Sequence, residues 1–91
     1  MKEADLVTKI IKGLRARGFW AVKLHGGPMQ QAGLPDVLAV KAGRAFFLEV
    51  KLPGGNATRL QESVMRDLRD VGAVAATVHS LEEVLQAVGN P

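Results

Sequence analysis

Asp36, Glu49 and Lys51 stand where charge is costly. The two acids fall in runs, 36–41 and 44–51, whose other members are almost all apolar. Between the runs, Ala42-Gly43 reads as a hairpin turn, although Ala-Gly is not a preferred pair for one. With that turn Lys41 faces Arg44, and the same register puts Asp36 directly opposite Glu49. Cβ atoms of such a pair lie about 4.5–5.5 Å apart, and like charges there are destabilising. Something positive must lie between them. Lys51 is two residues beyond Glu49 and projects from the same face, but one ammonium among two partly desolvated carboxylates is a poor match. A hard divalent cation fits better. Mg2+ binds through one or two carboxylates, keeps waters, and accepts phosphate oxygens as further ligands.

Glu3 is a fourth departure. On a helical wheel it falls in the centre of the arc made by Val7, Ile10 and Leu14, while Asp5 points away. Each departure also has an ordinary reading. Glu49 and Lys51 can be a strand-edge ion pair, and Asp36 after Pro35 a strand-entry turn residue. Glu3 can be a solvated first-turn acid favoured by the helix dipole. What favours a site is their coincidence in one order: Pro35-Asp36, a hairpin, then Glu49-x-Lys51.

The elements that must position them follow from periodicity. Over 2–17, Leu6, Val7, Ile10, Ile11 and Leu14 recur at helical spacing with Lys9, Lys12 and Arg15 opposite. Gly18 reads as the C-cap. Residues 19–24 read as a strand and 25–34 as a glycine-rich loop. Pro53-Gly54-Gly55-Asn56 breaks the chain after the hairpin. Thr58 opens a second helix with Leu60, Val64, Leu68 and Val71 on one face, and Gly72 ends it. A strand over 73–79 follows, and Ser80 with Glu83 reads as the capping box of a last short helix ending near Val88.

The class is therefore α/β, in the order αβββαβ(α), with a mixed four-stranded sheet flanked by helices. Three strands form an antiparallel meander, and the fourth returns through the second helix parallel to the third. Both faces of the hairpin are apolar: Val37, Ala39, Phe46 and Leu48 on one, Leu38, Val40 and Phe47 on the other. Helices are expected to cover both.

Composition narrows the class. Ninety-one residues predict one domain over 1–91, and 47% hydrophobic with 23% charged residues argues against disorder. No cysteine excludes disulfides, thiolate zinc sites and thiol nucleophiles, and two histidines leave no His-rich metal site. Without a membrane-span-length apolar run or a signal-peptide pattern, a soluble, cytoplasmic protein is expected. Twelve basic against nine acidic residues give +3, a mild tilt toward polyanions that also serves solubility.

These residues and this order resemble the PD-(D/E)xK nucleases of restriction-endonuclease-like fold. The motif stands as Pro35-Asp36 and Glu49-Val50-Lys51, and the resemblance covers about residues 2–80. Glu3 and the Gly33-Leu34-Pro35-Asp36 loop narrow it to the VRR-NUC nucleases and the archaeal-type Holliday junction resolvases. A free-standing minimal domain of this kind looks most like a junction resolvase, often virus-encoded. The resemblance implies that Asp36 and Glu49, with the Val50 carbonyl, hold Mg2+ or Mn2+, with no organic cofactor. Glu3 would complete the cluster directly or through a water. Lys51 would orient or help deprotonate the attacking water. Gln61 has two readings: a site residue early in the second helix, as in some members, or the N3 partner of Thr58 in a capping box. The tyrosine that often follows that glutamine is missing, and the chain contains no tyrosine at all.

The resemblance also implies branched DNA, a four-way junction first, with flaps, nicks or duplex ends as the alternative substrates. A non-catalytic DNA-binding module of the same fold is the reading from another class. Phosphate contacts are expected from Lys9, Lys12 and Arg15 on the first helix, Arg59 on the second, and Lys23, His25, Gly26, Gly27 and Gln30 around the loop. Symmetric cutting of a junction needs two sites and hence a homodimer. Trp20, Met29, Leu81, Val84 and Leu85 are the apolar residues in apparent excess of so small a core. With Glu3, Asp36 and Glu49 assigned to one centre, nine acids less three leaves six against twelve basic residues. A basic shell would surround an acidic centre.

Overall fold

The computed structural model describes residues 1–24 and 31–89. Its elements are α1 (Glu3–Ala16), β1 (Trp20–Lys23), β2 (Val37–Lys41), β3 (Arg44–Val50), α2 (Arg59–Asp70), β4 (Val74–Val78) and α3 (Leu81–Ala87). The strands lie in the order β1-β2-β3-β4, antiparallel for the first two pairs and parallel for the last. This is the expected mixed sheet. No helix among the described residues is long and apolar enough to cross a membrane.

The hairpin forms with the expected register, Lys41 opposite Arg44 and Val37 opposite Leu48. Ala42 and Gly43 both take positive φ, 51° and 76°. A two-residue turn of that hand matches the twist of the strands, which is why an alanine is held in a conformation that disfavours a Cβ.

One face of the sheet carries the core. Leu6, Val7, Ile10 and Leu14 of α1 and Val84 of α3 pack there against Val37, Ala39, Phe46, Leu48, Val50 and Val78. α1 and α3 approach closely because Gly13 has no side chain; a Cβ there would lie 2.6 Å from Leu81 Cδ1. The opposite face departs from expectation. α2 packs chiefly on β4, burying Val64 and Met65, and leaves Leu38, Val40 and Phe47 half-buried and Trp20 59% exposed. A single helix beside an edge strand cannot span four strands. Of the residues read as surplus to the core, Val84 belongs to it, and Met29 lies outside the described residues.

Two helix-to-strand junctions use one device. Arg15-x-x-Gly18-x-x-Ala21 and Arg69-x-x-Gly72-x-x-Ala75 each run from a last helical turn into an edge strand. Arg15 Nε and Nη2 donate to the Ala21 carbonyl at 3.1 and 2.8 Å. Arg69 Nε donates to the Ala75 carbonyl at 2.8 Å. The glycines take φ of +84° and +102°, where other residues are strained. Each guanidinium thus satisfies a carbonyl of an edge strand.

The helix starts show a further difference. Thr58 and Gln61 form the full capping box, with Gln61 N–H donating to Thr58 Oγ1 at 3.2 Å and Thr58 N–H to Gln61 Oε1 at 2.8 Å. At α3 only half of the expected box forms. Ser80 Oγ accepts from Glu83 N–H, but the Glu83 carboxylate turns instead to His79 Nδ1 at 3.0 Å. A positively charged partner outcompetes a backbone amide.

Candidate active site

Asp36 enters the sheet just before β2. Its N–H donates to the Leu48 carbonyl, its own carbonyl accepts from Leu24, and its Oδ2 accepts from Val50 N–H at 2.8 Å. The carboxylate therefore extends the ladder beyond its last backbone pair and is held against β3. Glu49 follows Leu48 on that strand with its side chain only 2% exposed. The paired register ends at Val37 and Leu48, with Asp36 N–H turned to the Leu48 carbonyl, and just beyond it the two carboxyls lie close enough for Asp36 to raise the pKa of Glu49.

Lys51 lies just past the end of β3. Its Nζ is 3.6 Å from Glu49 Oε2, and its backbone N–H donates to the Val78 carbonyl at 3.0 Å. That is ion-pair distance, and it leaves most of the problem unsolved. Burial pushes the Glu49 carboxyl up from 4.5 to about 8, the nearby Asp36 carboxylate adds to the rise, and Lys51 offsets part of it. Glu49 Oε1 is buried with no hydrogen-bond partner among the described residues. An unpaired buried group of this kind costs roughly 1–3 kcal/mol, more if charged.

The loop leading to Asp36 is docked on α2. Gly33 takes φ +84°, and a Cβ there would meet Leu60 Cγ at 2.7 Å, the Leu60 carbonyl at 3.1 Å and Val64 Cγ2 at 3.1 Å. Only glycine meets both demands. This contact fixes the helix carrying Gln61 beside the Asp36 loop, while the Gln61 amide oxygen is engaged in the cap.

The structure gathers Asp36, Glu49 and Lys51, and it does not gather Glu3 with them. Glu3 is exposed at the start of α1, and no three His, Asp or Glu side chains among the described residues converge as a ready ligand set. The reason is positional: the first residue of α1 to be buried is Leu6, so the side of the wheel that carries Glu3 has passed the sheet. Val50 is buried, with its N–H on Asp36.

Of the expected phosphate contacts, Lys9, Lys12, Lys23 and Arg59 are exposed. Arg15 is tied to the Ala21 carbonyl, which fixes its guanidinium at the β1 edge. His25, Gly26, Gly27 and Gln30 lie outside the described residues. Arg59 lines a shallow depression along α2 with Ser63, Arg66 and Arg69, with Glu62 at its side, so the arginines that the sequence spaces along this helix, interleaved with acids, share one surface.

The donor set suits one kind of guest. Two neighbouring carboxylates, one of them buried with its charge suppressed, offer hard oxygen ligands to a hard divalent cation.

No protein-family model matches the chain, and no curated protein does. Its fold does have counterparts. A solved VRR_NUC domain matches over 96% of this chain and 94% of its own length, with a TM-score of 0.79 and 24% identity. The fold is restriction-endonuclease-like. Hjc, a Holliday junction resolvase from the archaeal hyperthermophile Archaeoglobus fulgidus, matches 82% of this chain with a TM-score of 0.54 and 24% identity. The chain spans 61% of that resolvase's length.

Proposed function

We propose that this protein is a metal-dependent, structure-selective DNA endonuclease, with a four-way junction as its first substrate and a homodimer as its working form. The observation that carries the reading is the buried Glu49 carboxylate beside Asp36, suppressed by burial and only partly matched by Lys51, on a restriction-endonuclease-like fold. A surface that only binds DNA gains nothing from two acids that repel phosphate.

Asp36, Glu49 and the Val50 carbonyl would hold Mg2+, with Mn2+ as a substitute. Bound there, such an ion lowers the pKa of water and offsets charge on the phosphate. Asp36 holds its orientation through the Val50 amide. Lys51 adds fixed positive charge where negative charge develops, and its ammonium orients the attacking water. Water oxygen bonds to phosphorus, the bond to one bridging oxygen breaks, and that oxygen leaves with a proton. Lys9, Lys12 and Arg59 supply backbone phosphate contacts, so structure rather than sequence is read.

The test is cleavage of labelled four-way junction, flap and plain duplex in Mg2+, Mn2+ or EDTA. Paired symmetric nicks in the junction are expected, with none in EDTA. Preferential flap cutting replaces the junction assignment and keeps the nuclease. Binding without cleavage in either metal overturns both.

A further inference from the structure

Glu49 has a neighbour on each side of its strand. On the β2 side stands Asp36, and on the β4 side the parallel register places Thr77 directly beside it. The row behind on the same face is apolar: Leu38, Phe47 and Ala75. Asp36, Glu49 and Thr77 thus form one polar row across three strands of an otherwise apolar face.

Thr77 is anomalous in the same way as Glu49. Its Oγ1 is buried with no hydrogen-bond partner among the described residues, and Glu49 Oε1 is the other such side-chain atom. Two orphaned polar atoms on register-paired residues call for one explanation. A β-branched residue suits a strand, but valine would supply that shape without a buried hydroxyl. The hydroxyl is chemically suited to its neighbour, because it both donates and accepts whereas an ionised carboxylate only accepts. Glu49 Oε2 faces Lys51 and the Asp36 carboxyl stands close on the β2 side, so Thr77 offers Glu49 a neutral hydroxyl from the β4 side.

We propose that Thr77 is a positioning residue of the metal centre, its hydroxyl sharing one water molecule with Glu49 Oε1. The shared water accepts from Thr77 Oγ1 and donates to Oε1. It fixes the rotation of the carboxylate so that Oε2 stays directed toward the centre when a cation binds. This rests on the reading of Asp36 and Glu49 as a metal centre.

The test is Mn2+ binding by calorimetry without DNA, with thermal unfolding in EDTA, on wild type, Thr77→Val and Thr77→Ser. Thr77→Val is expected to bind Mn2+ about tenfold more weakly, while unfolding in EDTA at the same temperature as wild type or higher. Thr77→Ser keeps the hydroxyl and is expected within about twofold of wild type. A purely structural threonine moves both readouts the same way. The proposal is overturned if Thr77→Val binds Mn2+ like wild type, if Thr77→Ser is as weak as Thr77→Val, or if Thr77→Val alone fails to fold in EDTA. Wild type that binds no Mn2+ overturns instead the metal-centre reading on which the proposal rests.

Discussion

Glu49 and His79 sit on neighbouring strand ends, and both hold protons more tightly than they would in water, for opposite reasons. Glu49 is enclosed by apolar neighbours beside a second carboxylate, so its charge is penalised. His79 lies near the surface with Nδ1 3.0 Å from Glu83 Oε1 and Nε2 2.8 Å from the Gly55 carbonyl. Both partners accept, so only the imidazolium donates to both, and its charge is rewarded; the hydrogen bond to Glu83 is the largest cause of its raised pKa. His79 thereby clasps the turn after Lys51, where Gly55 N–H donates to the Leu52 carbonyl and a Cβ would come within 3.3 Å of Lys51 Cβ. The contrast separates framework from function. Charge that a fold rewards builds structure, and charge that it penalises marks a place where something else must bind.

The comparison is broken most directly at Glu49. Glu49→Gln or Asp36→Asn should lower cleavage by about 10³-fold or more, with DNA binding kept. Without metal, the folded protein keeps a proton on Glu49 that the unfolded chain has released between pH 4.5 and about 8. Stability should therefore fall as pH rises through that window, on the order of 1.4 kcal/mol per unit at most. Urea unfolding in EDTA should show Glu49→Gln flattening the slope and exceeding wild type near pH 8, where added Mg2+ should restore the wild type. A flat wild-type curve would remove the penalty from the comparison.

Gly33→Ala should cost about 2–4 kcal/mol, from a left-handed φ and overlap with α2. Its pH slope should match wild type, since it disturbs docking and leaves the charges alone. A changed slope would mean that the loop itself sets the burial of Glu49.

His79→Ala tests the rewarded charge. The His79 pKa is raised in the folded state, so its contribution is fully present below the unfolded value of 6.5 and fades as pH rises through the folded one. Because Glu83 is exposed, the gap to wild type should be small, about 0.5 kcal/mol at pH 5, by chemical denaturation. A gap that grows with pH would contradict the imidazolium clasp. Ala42→Asn should give a change equally small and of opposite sign, a gain of about 0.5 kcal/mol that does not vary with pH, because asparagine tolerates positive φ better.

Much of this was legible because it is local. The four strands and three helices follow from spacing, from Gly18 and Gly72 as stops, and from Thr58 with Gln61 as a start. Other features depend on partners distant in sequence. Glu3 shares the apolar side of α1 yet stays exposed, because where the helix overhangs the sheet is a packing matter. Arg15 looked like a surface cation until β1 supplied a carbonyl for it. Glu83 looked like a cap until His79 offered a positive charge.

The sequence by itself predicted that Asp36, Glu49 and Lys51 meet at the open end of the hairpin, since a two-residue turn and a period of two fix the pairing from Lys41 with Arg44 to Val37 with Leu48. It also determined that these charges interrupt an apolar hairpin. Only the tertiary structure decided which residue stands on the other side of Glu49. β4 reaches β3 through a whole helix, so its register comes from packing and not from a turn, and that packing set Thr77 beside the buried acid.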